Sequence, residues 1–372
     1  MVDIGDTGNA SITTSGGSVD VETGTGGGAL NIGSISNIGS INTGGGALTV
    51  SATGIVQSAL AGNSILAGAA TFNAGAGVLT LGNGGNDFTG AVSLNNSGAN
   101  AVTLNNGSHA LTLGTSSVGS GTLTVSGTGI TQAAGTSITQ AVGAGAATFN
   151  AGGNAITLTN AGNDFIGAVN LTGSNVSLTN NAATVLGTSN VSGTLDVGSN
   201  GALTQTGALT VGSAATFTQN STTPGTTQDI NLGSQANDFQ GGVSFAAGTG
   251  ASINNLSLEN TYATPGTLTL PASITGNLTL DYTSAALTLP VVGVGGALDV
   301  TASGGITLGG NVITGGSQTY NDAVTLGADA TLASTGSGAI DFASTVDGAY
   351  ALTVNTGGLT AFRGRGGRSR PR

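Results

Sequence analysis

Residues 71–94 read TFNAGAGVLTLGNGGNDFTGAVSL, and this stretch returns almost unchanged at residues 148–171 as TFNAGGNAITLTNAGNDFIGAVNL. A looser third copy begins at Thr216 and reaches the phrase NDFQGGVSF. The phrase Asn-Asp-Phe therefore recurs after 77 and then after 74 residues. A fixed period of this length is typical of proteins built from stacked structural repeats.

The repeats predict one long repetitive domain followed by a short tail of different composition. We predict a single β-helix domain over residues 1–360 and an Arg-rich, disordered tail over residues 361–372. Within the domain, modules of about 75 residues are predicted near 50–124, 125–200 and 201–260, with divergent turns over 261–360.

Short strands are predicted throughout the modules. Apolar–Thr–apolar triplets, such as Leu79-Thr80-Leu81, recur about every ten residues between connections rich in Gly, Asn and Ser. Strict alternation predicts strands with aliphatic side chains inward and Thr outward. Strands this short need stacked neighbours to bury their apolar face, which predicts an all-β, right-handed parallel β-helix. The 18-residue step between two GGGAL phrases, at Gly26 and Gly44, predicts turns of about 19 residues and hence roughly 18–19 turns.

Composition and charge narrow the possible functions. The chain has 69 Gly, no Cys and only 6% charged residues, so neither a disulfide framework nor a thiolate metal site is expected. No apolar run is long enough for a transmembrane helix. All five basic residues lie from Arg363 onward, so residues 1–362 carry all 16 acidic residues and no cation. Such a body cannot neutralise a phosphate backbone, which excludes nucleic acid as its partner.

The carboxylates of the repeated phrase are the candidates for a metal site. Asp87, Asp164 and Asp238 each follow an Asn, and GNGGNDF resembles half of a calcium-binding Gly/Asp nonapeptide. The calcium motif is tandem, whereas this phrase occurs once per module, so we expect the three aspartates to be turn residues. His109 is expected to be a surface turn residue. No catalytic residue, cofactor or metal is predicted.

Aromatic residues recur at equivalent positions of the modules. We predict that the recurring phenylalanines stack in the interior, with an exposed sugar-binding track as the alternative; they are Phe72, Phe88, Phe149, Phe165, Phe217 and Phe239. The tyrosines are irregularly placed and are expected to be exposed; they are Tyr262, Tyr282, Tyr320 and Tyr350.

The phrases GNDFxGAVxL, ALTLGT and SQTYNDAVTLGADATL resemble the repeats of large bacterial surface exoproteins. These are the filamentous-haemagglutinin-like adhesins of two-partner secretion and the related autotransporter passengers. The resemblance covers most of residues 30–360. It implies a right-handed β-helix that is exported and folds outside the cell, at the bacterial surface. The implied partners are a secretion pore in the outer membrane and host-cell or matrix surface molecules, bound through a parent protein.

Both ends of the sequence depart from the pattern of that class. Residues 1–6 lack the basic and apolar regions of a secretory signal. After Phe362 the composition changes abruptly to RGRGGRSRPR. We therefore expect an internal or truncated fragment of a longer exoprotein, with a frame slip as the hypothesis for the Arg-rich end.

A structural function is predicted from these observations. The favoured interpretation is a rod or stalk segment of a secreted cell-surface adhesin, without catalysis. The alternatives are a polysaccharide-active β-helix enzyme and a self-associating surface-layer or biofilm matrix protein. Any binding is expected in the irregular stretches Gln219–Asp229, which holds Pro224, and Glu259–Pro265.

Overall fold

A computed structural model describes residues 2–4, 10–23, 28–33, 39–221 and 225–364 of the chain. Every regular element among these residues is a β-strand, and every strand pairing is parallel. The predicted all-β, parallel β-helix fold is therefore confirmed, whereas its right-handedness stays a prediction. No helix within the described ranges could span a membrane. The strands divide between two compact units, residues 1–192 and 193–372, and each is a solenoid.

The strands of the first unit are mostly three to five residues long. They are β1 (Val2–Ile4), β2 (Ala10–Thr13), β3 (Val19–Glu22), β4 (Leu30–Ile32), β5 (Gly39–Asn42), β6 (Leu48–Ser51), β7 (Ile55–Gln57), β8 (Ile65–Ala67), β9 (Ala70–Asn73), β10 (Leu79–Leu81), β11 (Asp87–Phe88), β12 (Ala91–Asn95), β13 (Val102–Asn105), β14 (Leu111–Leu113), β15 (Ser116–Val118), β16 (Leu123–Ser126), β17 (Ile130–Gln132), β18 (Ile138–Gln140), β19 (Ala147–Asn150), β20 (Ile156–Leu158), β21 (Val169–Gly173), β22 (Val176–Asn180), β23 (Thr184–Leu186) and β24 (Ser189–Val191).

The second unit has longer strands at its start. Its strands are β25 (Leu195–Ser199), β26 (Leu203–Gln205), β27 (Leu209–Val211), β28 (Ala215–Gln219), β29 (Thr227–Leu232), β30 (Asp238–Phe239), β31 (Val243–Ala247), β32 (Ser252–Glu259), β33 (Leu268–Thr269), β34 (Ser273–Ile274), β35 (Leu278–Tyr282), β36 (Leu287–Leu289), β37 (Val292–Val294), β38 (Leu298–Ala302), β39 (Ile306–Leu308), β40 (Val312–Thr314), β41 (Gln318–Tyr320), β42 (Val324–Leu326), β43 (Ala330–Ser334), β44 (Ile340–Phe342), β45 (Val346–Gly348), β46 (Leu352–Thr356) and β47 (Thr360–Phe362).

In the first unit, successive turns add one strand to each side of the coil. One sheet runs β1-β4-β7-β10-β13-β16-β19-β21, and a second runs β3-β6-β9-β12-β14-β17-β20-β22. The short sheet β2-β5-β8-β11 forms a third side over the first turns. In the second unit, β28, β31 and β33 pair in order, while the sheets β34-β37-β40-β43-β46 and β36-β39-β42-β45 begin later in the chain.

The turns are longer than the predicted 19 residues, and the predicted number of 18–19 turns is wrong. Along the sheet from β4 to β21, paired residues of adjacent turns are 21 to 25 positions apart. Along the sheet from β32 through β35, β38, β41 and β44 to β47, the step is 20 to 22. The chain therefore makes about 15 turns. The spacing of the GGGAL phrases is not the turn length. Leu30 and Leu48 lie in different sheets, so 18 residues do not complete a turn.

A module likewise does not span a whole number of turns, although 75 residues would make about four turns of the predicted length. Phe72 pairs with Val50 in the sheet that holds β6 and β9. The equivalent Phe149 pairs with Val125 in the other long sheet, between β16 and β19. Equivalent side chains therefore face the interior from different sides of the coil.

The interior is built by the alternation seen in the sequence. In β10 the side chains of Leu79 and Leu81 are fully buried, and Thr80 between them is only half-buried. The same column of the sheet continues through Val102 and Leu123 on the next two turns, both at most 1% exposed. Stacked aliphatic side chains thus fill the space enclosed by the turns, and this burial is the main stabilising contribution.

A buried pair of side-chain amides recurs at each Asn-Asp-Phe corner. Gln132 and Asn163 donate to each other's carbonyl oxygens, at 2.7 and 3.0 Å. Asn163 also accepts the backbone N–H of Ile138 at 3.0 Å and donates to the carbonyl of Leu158 at 3.1 Å. Asn163 is fully enclosed, so these bonds supply the partners that a buried amide requires. The equivalent pairs are Gln57–Asn86 and Gln205–Asn237.

A second buried asparagine, on the following turn, binds the backbone of the phenylalanine at each corner. The backbone N–H of Phe165 donates to Oδ1 of Asn180 at 2.8 Å, and Nδ2 of Asn180 donates to the carbonyl of Phe165 at 3.1 Å. The corresponding contacts in the other modules are Phe88 with Asn106 and Phe239 with Asn260. Side-chain amides therefore replace backbone pairing where the chain turns between sheets.

Replacing Asn163 by Ala will test the buried amide pair. The substitution leaves the N–H of Ile138 and Oε1 of Gln132 without partners, while Nε2 of Gln132 keeps the carbonyl of Thr136, so we expect a loss of about 2–4 kcal/mol in the free energy of unfolding. Thr159, exposed on the same turn, is the matched control, and Thr159→Ala should change stability by less than about 0.5 kcal/mol. Urea unfolding followed by circular dichroism measures both. Equal effects of the two substitutions would contradict a structural role for the pair.

Candidate functional site

The structure places the recurring phenylalanines in the interior, where they meet in pairs. Each pair joins the Phe of a Thr-Phe phrase to the Phe of the following Asn-Asp-Phe phrase, edge to face. The ring centroids are 5.8 Å apart for Phe72–Phe88, 5.6 Å for Phe149–Phe165 and 5.9 Å for Phe217–Phe239. All six side chains are at most 2% exposed, so they present no aromatic surface to a ligand.

The three repeated aspartates lie on different turns and make different contacts. Asp87 lies 3.8 Å from Nδ1 of His109, whose side chain is 46% exposed. One carboxylate oxygen of Asp164 and one of Asp238 are buried without a hydrogen-bond partner among the described residues. Among all the residues that the structure describes, no three His, Cys, Asp or Glu side chains are grouped so that they could hold a metal ion.

A separate set of carboxylates gathers on the outer side of the second unit. Glu259 and Asp281 are paired residues on adjacent turns, in β32 and β35. Burial, together with the nearby charges of Asp322 and Asp299, raises the pKa of Asp281 above its ordinary value. Burial and the charge of Asp281 raise the pKa of Glu259 in the same direction. At neutral pH, repulsion between these carboxylates therefore destabilises the fold.

The two irregular stretches predicted to carry binding differ in the structure. Residues 222–224, which include Pro224, lie outside the described residues. Asp229, at the other end of that stretch, accepts the backbone N–H of Asn255 at 3.0 Å and the side-chain amide of Asn254 at 2.9 Å. The backbone N–H of Asn255 and the two side-chain amides hold the pKa of Asp229 below its usual value. These hydrogen bonds to Asp229 thus link one end of the stretch Gln219–Asp229 to the next turn. The second stretch, Glu259–Pro265, leads into a cavity.

This cavity opens where the strand ladder of the second unit is interrupted. β33 has only two residues and ends its sheet, and β36, on the next turn, begins another sheet. Pro265 and Pro290 flank the two strands, and proline has no N–H to offer a neighbouring strand. The resulting space, which we call the β33–β36 cavity, has a volume of about 330 Å³. Its lining residues are Pro265, Gly266, Thr267, Leu268, Tyr282, Ala286, Leu287, Thr288 and Pro290.

The lining of the β33–β36 cavity is neutral and mixes apolar surface with hydroxyl groups. Tyr282 is 1% exposed, and burial raises the pKa of its phenol well above the ordinary value, so the hydroxyl stays protonated. Thr267 and Thr288 are exposed at the rim. Leu268, at 8%, keeps more exposure than the other buried hydrophobic side chains of the described residues. The cavity can therefore offer both hydrogen bonds and apolar contact.

The expectation that all four tyrosines are exposed is wrong for two of them. Tyr282 and Tyr320 are buried, while Tyr350 is 52% exposed and Tyr262 is intermediate. The period-2 pattern of the strands could have shown this, because Tyr282 follows Leu278 and Leu280 at inward positions of β35. The place of Pro290 in the cavity wall could not be predicted from the sequence. It depends on β33 and β36, two strands of adjacent turns that do not pair.

Comparison with known proteins gives one match. The family described as repeats of unknown function (DUF5649) matches residues 34–95, 99–172, 173–246 and 275–331. No curated protein and no solved structure matches the chain. The matched segments leave out residues 247–274, and Pro265, Gly266, Thr267 and Leu268 of the cavity lie in that interruption.

The acidic cluster predicts a pH-dependent stability of the second unit. Because the pKa of Asp281 is raised on folding, its charged form destabilises the fold above that raised pKa, and the effect disappears below the ordinary value near 3.8. Asp281→Asn should therefore raise the melting temperature at pH 7 by a small amount, equivalent to less than about 1 kcal/mol, and should have no effect near pH 3.

The matched control for this substitution is Asp196→Asn, at an exposed position of β25 in the same unit. Thermal unfolding of both variants between pH 3 and pH 8 makes the measurement. A lower melting temperature of the Asp281 variant at pH 7 would contradict the claim that the charge of Asp281 destabilises the fold.

Proposed function

Because this chain belongs to the family of repeats of unknown function (DUF5649), whose matched segments are turns of the solenoid, we propose that it has a structural function. Each unit serves as a rigid spacer within a bacterial cell-surface adhesin, and the chain catalyses no reaction. The parent protein is exported through a pore in the outer membrane, and the spacer holds its adhesive parts away from the surface. These parts bind host-cell or matrix molecules.

The observation that carries this proposal is the unbroken interior column of the first unit. Inward positions from Leu30 through Leu79 to Val169 are occupied by aliphatic side chains on every turn. Each turn is bonded to the next by parallel backbone hydrogen bonds in register. A segment built in this way resists bending because any bend must separate packed side chains and break the ladder.

The outer surface supports a location outside the cell. The outward position of the recurrent triplets is a Thr, and residues 1–362 carry no cation. Small neutral polar side chains keep the surface hydrated while leaving few charges to attract unrelated partners. The likeness of the repeated phrases to filamentous-haemagglutinin-like exoproteins points to the same location. The alternative functions, a glycan-cleaving enzyme and a self-associating matrix protein, become outcomes of the test.

Antibodies against the purified chain will test this function on intact cells of the source organism. We expect labelling without permeabilisation, because the spacer lies outside the outer membrane. Beads coated with the chain should then show whether it adheres to cultured cells or matrix by itself or only extends the parent protein. Labelling that needs permeabilised cells would contradict the surface location. Release of reducing ends from a panel of polysaccharides would contradict the absence of catalysis.

A further inference from the structure

We propose that the β33–β36 cavity binds a single neutral pyranose ring, the terminal residue of a glycan. The proposal goes beyond the spacer function, because a solenoid needs no cavity in order to hold a distance. It is carried by three features of the cavity: its size, a hydroxyl group of the lining without a partner, and a lining without charge.

The size of the cavity fits one ring. Small-molecule pockets in proteins range from about 300 to 1,000 Å³, and the volume of about 330 Å³ lies at the lower end of that range. The exposed positions of Thr267 and Thr288 leave the cavity open to solvent at the rim. A terminal sugar can enter there while the rest of its glycan stays outside.

The unpartnered hydroxyl group belongs to Tyr282, whose side chain is 1% exposed. No hydrogen bond joins this hydroxyl to another described residue, and its oxygen keeps a small accessible surface. Polar groups with so little access to solvent are normally satisfied by a partner, which here can be a ligand or an ordered water molecule. Because Tyr282 lines the cavity, the cavity is where its hydroxyl can find an acceptor. A ring hydroxyl of a sugar supplies one.

The uncharged lining selects a neutral and amphipathic ligand. None of the nine lining residues is ionised at neutral pH, and the body of the chain has no cation to hold an anionic sugar. The rings of Pro265 and Pro290 offer rigid C–H surface for the apolar face of a pyranose. Thr267 and Thr288 offer hydroxyl groups for its polar edge. A purely apolar ligand would leave the hydroxyl of Tyr282 unpaired, and the sugar would not.

The position of the cavity in the sequence supports a binding function in addition to the spacer function. Residues 247–274 interrupt the matched repeats, and the first four lining residues fall within this interruption. The other five lining residues belong to the matched segment 275–331. The cavity therefore forms where the interruption meets the next matched repeat.

Saturation-transfer NMR of the full-length chain with methyl glycosides will test the proposal. The probes are the methyl pyranosides of glucose, galactose and mannose, with methyl glucuronide as the anionic comparator and cyclohexanol as the apolar one. We expect saturation transfer to at least one neutral pyranoside, with a Kd on the order of 1 mM. Transfer to methyl glucuronide and cyclohexanol should be weaker.

Two variants locate the binding. Tyr282→Phe removes only the unpaired hydroxyl, so the melting temperature should not fall while the Kd for the pyranoside rises about five- to tenfold. The matched control is Tyr320→Phe. Its hydroxyl is equally buried but donates to Oε1 of Gln318 at 2.9 Å, so this variant should lose stability and keep sugar binding. Thr288→Trp, at the exposed rim, should fill the cavity and abolish binding in a folded protein.

The outcomes that would overturn the proposal are distinct from those that test the spacer function. Absence of saturation transfer to all three neutral pyranosides would overturn it. So would equal binding of cyclohexanol, or binding that both the Tyr282 and the Thr288 variants leave unchanged. The labelling of intact cells does not depend on any of these results, so either proposal can fail alone.

Discussion

The register between successive turns is the constraint on which the rest of this structure depends. Parallel pairing places each residue next to the residue one turn away. The side chains stacked in each column must therefore pack against one another along the whole unit. Aliphatic columns satisfy this condition inside and threonine columns satisfy it outside. Glycine marks the places where turns approach most closely. At Gly121, for example, a Cβ atom would collide with the carbonyl oxygen of Asn100 on the preceding turn.

The same constraint explains why polar groups are tolerated in the interior only in matched sets. A lone buried amide would be costly, whereas Asn163 meets Gln132 from another turn and satisfies the backbone at the same corner. The repetition of this arrangement in three modules shows that the Asn of the Asn-Asp-Phe phrase is its structural residue. The neighbouring aspartates are only partly buried and vary in their contacts. Where the ladder stops, between β33 and β36, the structure instead leaves space and an unpaired hydroxyl group. The candidate binding site thus arises from a local failure of the constraint.

The fold could be predicted from the sequence because it depends on local alternation. Triplets such as Leu79-Thr80-Leu81 specify which side chains point inward without reference to any other turn. The turn length could not be predicted in the same way, because it depends on which strands pair, and an 18-residue phrase spacing crossed between two sheets. The pairing of Gln57 with Asn86, 29 residues apart, was invisible for the same reason. The irregular spacing of the tyrosines along the chain does not reveal that Tyr282 is buried, because its burial follows from its inward position in β35.

The most direct test of the stacked register is a distance between two spin labels on one column of the first unit. The chain contains no cysteine, so Val56→Cys and Asn170→Cys provide unique attachment sites. Successive pairings place these two positions five turns apart. At about 4.8 Å per turn, a pulsed EPR measurement should give a narrow distribution centred near roughly 24 Å, broadened only by the label linkers. A broad distribution centred well beyond that distance would contradict the stacked arrangement and every conclusion built on it.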